Sequence, residues 1–101
     1  MQLVEVFLPL ETKRGQPIGR EIIQDIVGRL ADRFGGATAF TRAPADGLWK
    51  QGATIQKDRI LIVEILVEEL DQSWWKDYRA RLETELEQDE VLIRATPCQR
   101  I

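Results

Sequence analysis

The stretch RILIVEILVEE, residues 59 to 69, decides how the chain folds. Side chains along a β-strand point alternately to opposite faces, so the stretch divides into two sets of residues. One face carries Leu61, Val63, Ile65 and Val67, and the other carries Ile60, Ile62, Glu64, Leu66 and Glu68. Because both faces are largely apolar, the pattern predicts a strand in the centre of a sheet, covered on both sides.

One helix is expected before this strand in the sequence and a second one after it. Apolar residues recur three and four positions apart from Ile22 to Phe34, with Pro17 placed in the first helical turn. Gly35 is expected to end this helix, because glycine adopts the left-handed conformation of a C-cap. The second helix begins after an N-cap at Asp71. Its inner face carries Trp75, Tyr78 or Arg79, Leu82 and Leu86.

Three further strands complete the pattern. They are QLVEVFL at residues 2–8, ATAFTR at 37–42 and EVLIRATP at 90–97. The order strand, helix, strand, strand, helix, strand predicts a ferredoxin-like α+β fold, with a four-stranded antiparallel sheet and both helices on one face. A length of 101 residues is that of one domain, so residues 1–101 are expected to form a single ferredoxin-like domain.

Composition excludes several classes of function. A net charge of −3 argues against nucleic-acid binding, which usually needs a basic surface. No apolar run approaches the roughly 20 residues of a membrane span, and the N-terminus lacks the features of a signal peptide. The chain has no histidine and one cysteine, Cys98, so neither a catalytic triad nor a zinc site is expected. We expect a cytoplasmic protein without a metal or cofactor.

The sheet face away from the helices is the first candidate site. If the helices cover Val4, Val6 and Val63, the opposite face carries Leu3, Glu5, Phe7, Phe40, Ile60, Ile62, Glu64, Leu66, Leu92 and Arg94. We call it the open face. An apolar patch of that size marks a binding surface, so a second copy of the chain, a loop or a ligand is expected to cover it.

Three charged residues of the open face are the candidate catalytic groups. The strand order places Glu5 between Arg94 and Glu64, and one arginine can neutralise only one of two carboxylates. The second carboxyl would then be a candidate general acid or base, with Arg94 stabilising an anion. The alternative is an ion pair that fixes strand register at a dimer interface.

The long segment 43–59 is the second candidate site. It exceeds the usual length of a connection, which is typical of a lid or binding loop, and LWK at 48–50 could form a short strand within it. Trp49 could line a pocket, anchor a partner subunit, or pin the loop to its own sheet. The predicted ligand contacts are Phe7, Phe40, Arg42, Trp49 and Ile62.

Three stretches carry a resemblance to a known group of proteins. They are ADRFGGATAFTRAPADGLWK at 31–50, WWKDYRARLE at 74–83 and QDEVLIRA at 88–95. They resemble a family of small bacterial proteins of about 100 residues. The resemblance implies a ferredoxin-like α+β fold, and it implies no particular activity or catalytic residue.

Two functions from different classes are open at this point. The first is a homodimeric small-molecule-binding protein or cofactor-free enzyme, which resembles dimeric α+β barrels and holds a small apolar or anionic ligand on the open face. The second is a structural module whose open face is filled by a protein partner. RNA binding is disfavoured, because the central strand within residues 59–69 has no aromatic residue for base stacking.

Overall fold

The described part of the chain forms a four-stranded sheet, a separate hairpin and two helices. A computed structural model describes the backbone of residues 1–42, 48–51, 54–57 and 59–101, and the side chains of residues 1–40 and 59–101. Within these residues the elements are β1 (Gln2–Pro9), α1 (Arg20–Phe34), β2 (Thr38–Arg42), β3 (Leu48–Gln51), β4 (Thr54–Lys57), β5 (Ile60–Val67), α2 (Gln72–Glu85) and β6 (Ile93–Pro97).

The main sheet has the strand order β2-β5-β1-β6, with antiparallel pairing throughout. The two central strands, β1 and β5, pair along their whole length from Gln2↔Val67 to Pro9↔Ile60. With the hairpin set aside, this is the predicted ferredoxin-like α+β fold, which is confirmed. The expectation that the 60–67 strand is central is confirmed as well.

Both helices pack on one face of this sheet. The core joins β-strand residues such as Val6 and Val63 to Leu30 of α1 and Leu82 of α2, all of which are buried. Trp75 is buried in the same core, as the spacing of the second helix predicts. Burying apolar side chains between the helices and the sheet supplies the main driving force for folding. The helices leave the other sheet face uncovered.

The hairpin lies between β2 and β5 in the chain. Its strands β3 and β4 pair antiparallel, from Leu48↔Lys57 to Gln51↔Thr54, so the short strand predicted over LWK is confirmed. Residues 43–47, 52, 53 and 58 lie outside the described residues. The predicted role of segment 43–59 as a lid therefore stays a prediction.

Helix α1 begins three residues later than the sequence predicts. Pro17 does not occupy its first turn and instead bridges to Glu11, while the Ile18 amide donates to the Leu10 carbonyl at 2.9 Å. A turn closed by the Thr12 amide on the Gln16 carbonyl, at 2.7 Å, holds this narrow loop. The helix ends as predicted at Gly35, whose φ of 79° is left-handed.

Strand β6 also begins later than predicted, at Ile93 in place of Glu90. The amide of Val91 donates to the Glu83 carboxylate of α2 at 2.9 Å, and the Val91 side chain is buried in the core. This contact ties the segment before β6 to the end of α2. The Leu92 carbonyl then accepts from the Phe7 amide at 3.0 Å and leads into the pairing with β1.

Candidate functional site on the open sheet face

The strand register brings the three predicted charged residues together. Glu5 of β1 lies directly opposite Glu64 of β5 on one side and Arg94 of β6 on the other. Residues that are directly opposite in neighbouring strands point to the same face of a sheet, with their Cβ atoms about 5 Å apart. Glu5, Glu64 and Arg94 therefore share one row across the open face.

Glu5 and Arg94 form the ion pair of this row. The Arg94 Nε donates to Glu5 Oε1 at 2.8 Å, and the Arg94 guanidinium lies 4.9 Å from the centre of the Phe7 ring. The Glu5 side chain is 11% exposed and the Arg94 side chain 53% exposed. A carboxylate with so little access to water needs a charged or hydrogen-bonding partner, and Arg94 supplies it. The ion pair and the ring together hold the guanidinium in place.

Glu64 adds a second carboxylate beside this pair. Its side chain is half-buried, and among the described residues it has no ion-pair partner. Two carboxylates directly opposite each other are unfavourable unless a positive charge lies near both. Because Nε of Arg94 faces Glu5, the row as a whole carries an excess negative charge at Glu64.

An apolar row runs next to the charged one. The register aligns Phe7 of β1, Ile62 of β5 and Phe40 of β2 across three strands. Phe40 is exposed, Phe7 is half-buried and Ile62 is fully buried. A molecule on this face would therefore contact the two rings and not Ile62, which has no exposed surface. Leu66 and Leu92 are also exposed.

Arg42 and Trp49 complete the predicted set of ligand contacts. Their backbones lie in β2 and β3, where Arg42 pairs with Ile60 and Trp49 pairs with Gln56. Their side chains lie outside the described residues. Their roles in binding stay predictions.

A second candidate site is a cavity between α2 and β6, which the sequence did not predict. It measures about 200 Å³, and the side chains around it include Trp75, Lys76, Arg79 and Ile93. Lys76 looks like an ordinary surface residue of a helix in the sequence, and Arg79 was only one of two alternatives for the inner face. Only the position of α2 over the edge strand shows that they border a cavity.

Two classes of site have no counterpart in the described parts of the chain. No helix there combines the length and the apolar character that crossing a bilayer requires. The same residues hold no group of three or more His, Cys, Asp or Glu side chains arranged to bind a metal ion.

Comparison with known proteins supports the fold. The sequence matches no protein-family model and no curated protein, so the resemblance to small bacterial proteins stays a prediction. Two solved structures are similar: a phage SAM lyase in complex with S-methyl-5'-thioadenosine and a phage SAM lyase in the apo state. Both align with a TM-score of 0.59 over 94% of this chain, at 15% and 13% identity. The alignments cover 79% and 78% of those chains.

Proposed function

We propose that this protein binds a small molecule on the open face, and that the ligand is a nucleoside sulfonium of the S-adenosylmethionine class. The observation that carries the proposal is the charged row, in which the half-buried Glu64 carboxylate lies beside the Glu5–Arg94 ion pair. The row adjoins the rings of Phe7 and Phe40. Negative charge and aromatic rings together favour an organic cation.

Each part of such a ligand has a matching group on the open face. The sulfonium and ammonium groups are positive and are attracted to Glu64, where the row has its excess charge. The ligand's carboxylate matches Arg94, whose terminal nitrogens remain donors because Nε is the atom bonded to Glu5. The adenine ring can stack on the exposed ring of Phe40.

The structural neighbours support this class of ligand. Their names record a SAM lyase, one copy of which holds S-methyl-5'-thioadenosine. At 15% identity the likeness concerns the fold alone, and function on a shared fold depends on the side chains of the site. The ligand class is therefore proposed from the charged and aromatic rows, and the neighbours indicate which compounds to test first.

The test is calorimetric titration with S-adenosylmethionine and with S-adenosylhomocysteine, which has the same carboxylate and adenine but no positive charge on sulfur. We expect the sulfonium to bind more tightly, and Glu64→Gln to abolish the difference between the two compounds. Glu21→Gln, an equal change of charge in the first turn of α1, serves as the control. Absence of binding, or a preference that survives Glu64→Gln, would overturn the proposal.

Incubation with S-adenosylmethionine then separates a binding protein from an enzyme. Chromatography of the mixture shows whether S-methyl-5'-thioadenosine accumulates. If it does, loss of turnover in Glu64→Gln or Arg94→Gln would assign those residues to the reaction. If the ligand is recovered intact, the open face is a binding site without this chemistry.

We propose further that two copies of the chain pack with their open faces together as a homodimer. Phe40, Leu66 and Leu92 are exposed on this one face, and a two-fold interface brings a patch into contact with its own copy. Native mass spectrometry of the untagged protein reports the subunit number and any bound molecule together. A dimer in which the faces fill each other and no ligand binds would favour the structural module.

A further inference from the structure

The cavity between α2 and β6 has the features of a second binding site. We call it the α2–β6 groove. It has a volume of about 200 Å³, and its apolar floor is formed by Val4, Trp75 and Ile93. Val4 and Trp75 belong to the hydrophobic core and are buried. The groove therefore reaches from the surface down to the core, beside the edge strand of the sheet.

One flank of α2 forms the polar rim of the groove. Gln72, Lys76 and Arg79 border it. They are spaced four and three residues apart, so they lie on the same side of the helix. Trp75, which is next to Lys76 in sequence, points into the floor. The rim and the Trp75 part of the floor thus belong to the same helix, whose start is fixed by the Asp71 cap.

The charge of the groove is of one sign. Among the residues that the structure describes, the charged ones at the groove are Lys76, Arg79 and Arg94, and none is acidic. The Arg94 side chain lies on the open face, so the charged side chains of the groove are those of Lys76 and Arg79. Arg94 is bonded to Glu5, whereas Lys76 and Arg79 have no ion pair with any residue that the structure describes. In a chain with a net charge of −3, two cations that have no acidic neighbour among the described lining residues favour an anion at this surface.

We propose that the α2–β6 groove binds a small organic anion, a carboxylate attached to a single ring or a short apolar chain. The apolar part lies on Trp75 and Ile93, and the carboxylate meets Lys76 and Arg79, with a bidentate contact open to Arg79. A volume of about 200 Å³ is below the roughly 300 to 1,000 Å³ of drug-sized sites, which limits the ligand to a small one. This site is independent of the proposed function on the open face.

Benzoate and benzamide test the proposal, because they have the same shape and differ in charge. Each is titrated into the protein while the backbone amide chemical shifts are followed by NMR. We expect benzoate to shift the amides around Trp75 and Ala95, with a dissociation constant on the order of a millimolar for so small a ligand. Benzamide should bind much more weakly, and added salt should weaken the binding of benzoate.

Three variants separate the contributions of charge and shape. Arg79→Gln should weaken benzoate binding about fivefold or more, because a charged hydrogen bond is lost. Arg81→Gln removes the same charge from the same helix at a position that does not line the groove, and should leave binding unchanged. Ala95→Leu, a change at an exposed edge-strand residue that lines the groove, should block binding by filling it.

The same titrations can overturn the inference. Equal binding of benzoate and benzamide would show that the cations do not select the ligand. Shifts confined to residues of the open face, such as Phe7 and Phe40, would place the anion there. Equal effects of Arg79→Gln and Arg81→Gln would reduce the interaction to the general charge of α2. Each of these results excludes the α2–β6 groove as an anion site.

Discussion

At the scale of single residues, the ion pair of Glu5 with Arg94 is expected to contribute to stability. Its carboxylate is nearly buried, and Arg94 is its ion-pair partner. We predict that Arg94→Met, which keeps an apolar chain against Phe7, lowers the free energy of unfolding by about 1 to 3 kcal/mol. The cost arises because the Glu5 carboxyl would lose its hydrogen-bond donor while it has little access to water. Half of the Arg94 side chain is exposed, so the effect should lie below that of a fully buried pair.

Urea denaturation measures this prediction against an exposed ion pair. Lys13 and Asp89 lie 3.2 Å apart with both side chains in contact with water, so Lys13→Met should change the free energy of unfolding by less than about 0.5 kcal/mol. The combined variant Glu5→Leu/Arg94→Met should recover part of the loss, because the nearly buried carboxylate is removed together with its partner. Equal losses in Arg94→Met and Lys13→Met would show that Glu5 does not depend on its partner.

The raised pKa of Tyr78 predicts that the stability of the protein changes with pH in alkaline solution. Burial, with a smaller effect from Glu85, raises the pKa of Tyr78 from 10.0 to about 12. The folded protein therefore holds the phenol proton more tightly than the unfolded chain. Between pH 10 and 12 the unfolded chain binds fewer protons, so the free energy of unfolding falls as pH rises through this interval.

The chain has one tyrosine, so the prediction can be measured without ambiguity. Phenolate absorbance should titrate near pH 12 in the folded protein and near pH 10 after unfolding. Lysines titrate in the same interval, so the stability of Tyr78→Phe is subtracted from that of the wild type. The difference should be constant below pH 10 and shrink above it. A phenol that titrates near pH 10 in the folded state would contradict the prediction.

The sequence was sufficient to place three charged residues on one sheet face, but not to show which of them are in contact or how each is buried. The two-residue period of a strand places Glu5, Glu64 and Arg94 on one face once the strand order is known. Their different exposures depend on packing, such as the contact of Arg94 with the Phe7 ring. The bond from the Val91 amide to Glu83 had no signal in the sequence, because it joins two elements through one side chain.

At the scale of elements, the start of α2 depends on a single side chain. The Asp71 carboxylate accepts from the Trp74 amide at 3.1 Å. We predict that Asp71→Ala lowers the free energy of unfolding by about 1 kcal/mol, because an amide of the first turn loses its partner. Asp71→Asn keeps an acceptor at the same place and should lower the free energy of unfolding by at most a few tenths of a kcal/mol. Urea denaturation of both variants checks this prediction. Equal losses of stability in the two variants would show that the charge of Asp71, and not its hydrogen bond to the Trp74 amide, stabilises the helix.

The start of α1 shows the limit of local patterns. Proline is common in the first turn of a helix, which is why Pro17 was placed there. In the structure Pro17 belongs to the loop that the Thr12–Gln16 hydrogen bond closes, and Gly19 precedes the helix without a side-chain cap.

The α2–β6 groove was missed for a related reason. Its walls are formed by α2 and β6, and the periodicity of residues within one element does not predict a cavity between two elements.

At the scale of the whole molecule, the two faces of the sheet differ in the side chains that they carry. The helix-covered face buries the core residues of β1 and β5, whereas the open face combines the Glu5–Arg94 pair with exposed apolar side chains. The exposed apolar side chains of the open face are the part that the proposed ligand or second copy would cover. The proposed dimer and the proposed ligand site therefore depend on the same surface.

A charge placed on the open face tests the dimer directly. Leu66 on this face is 43% exposed and Ile22 of α1 is 42% exposed, so the two offer matched sites for substitution. We predict that Leu66→Arg converts a dimer to a monomer, because the interface would bury two unpaired arginines, while Ile22→Arg leaves the dimer intact. Light scattering with size-exclusion chromatography measures the mass, and circular dichroism confirms that both variants fold. A wild-type monomer, or a dimer lost only in Ile22→Arg, would move the interface away from the open face.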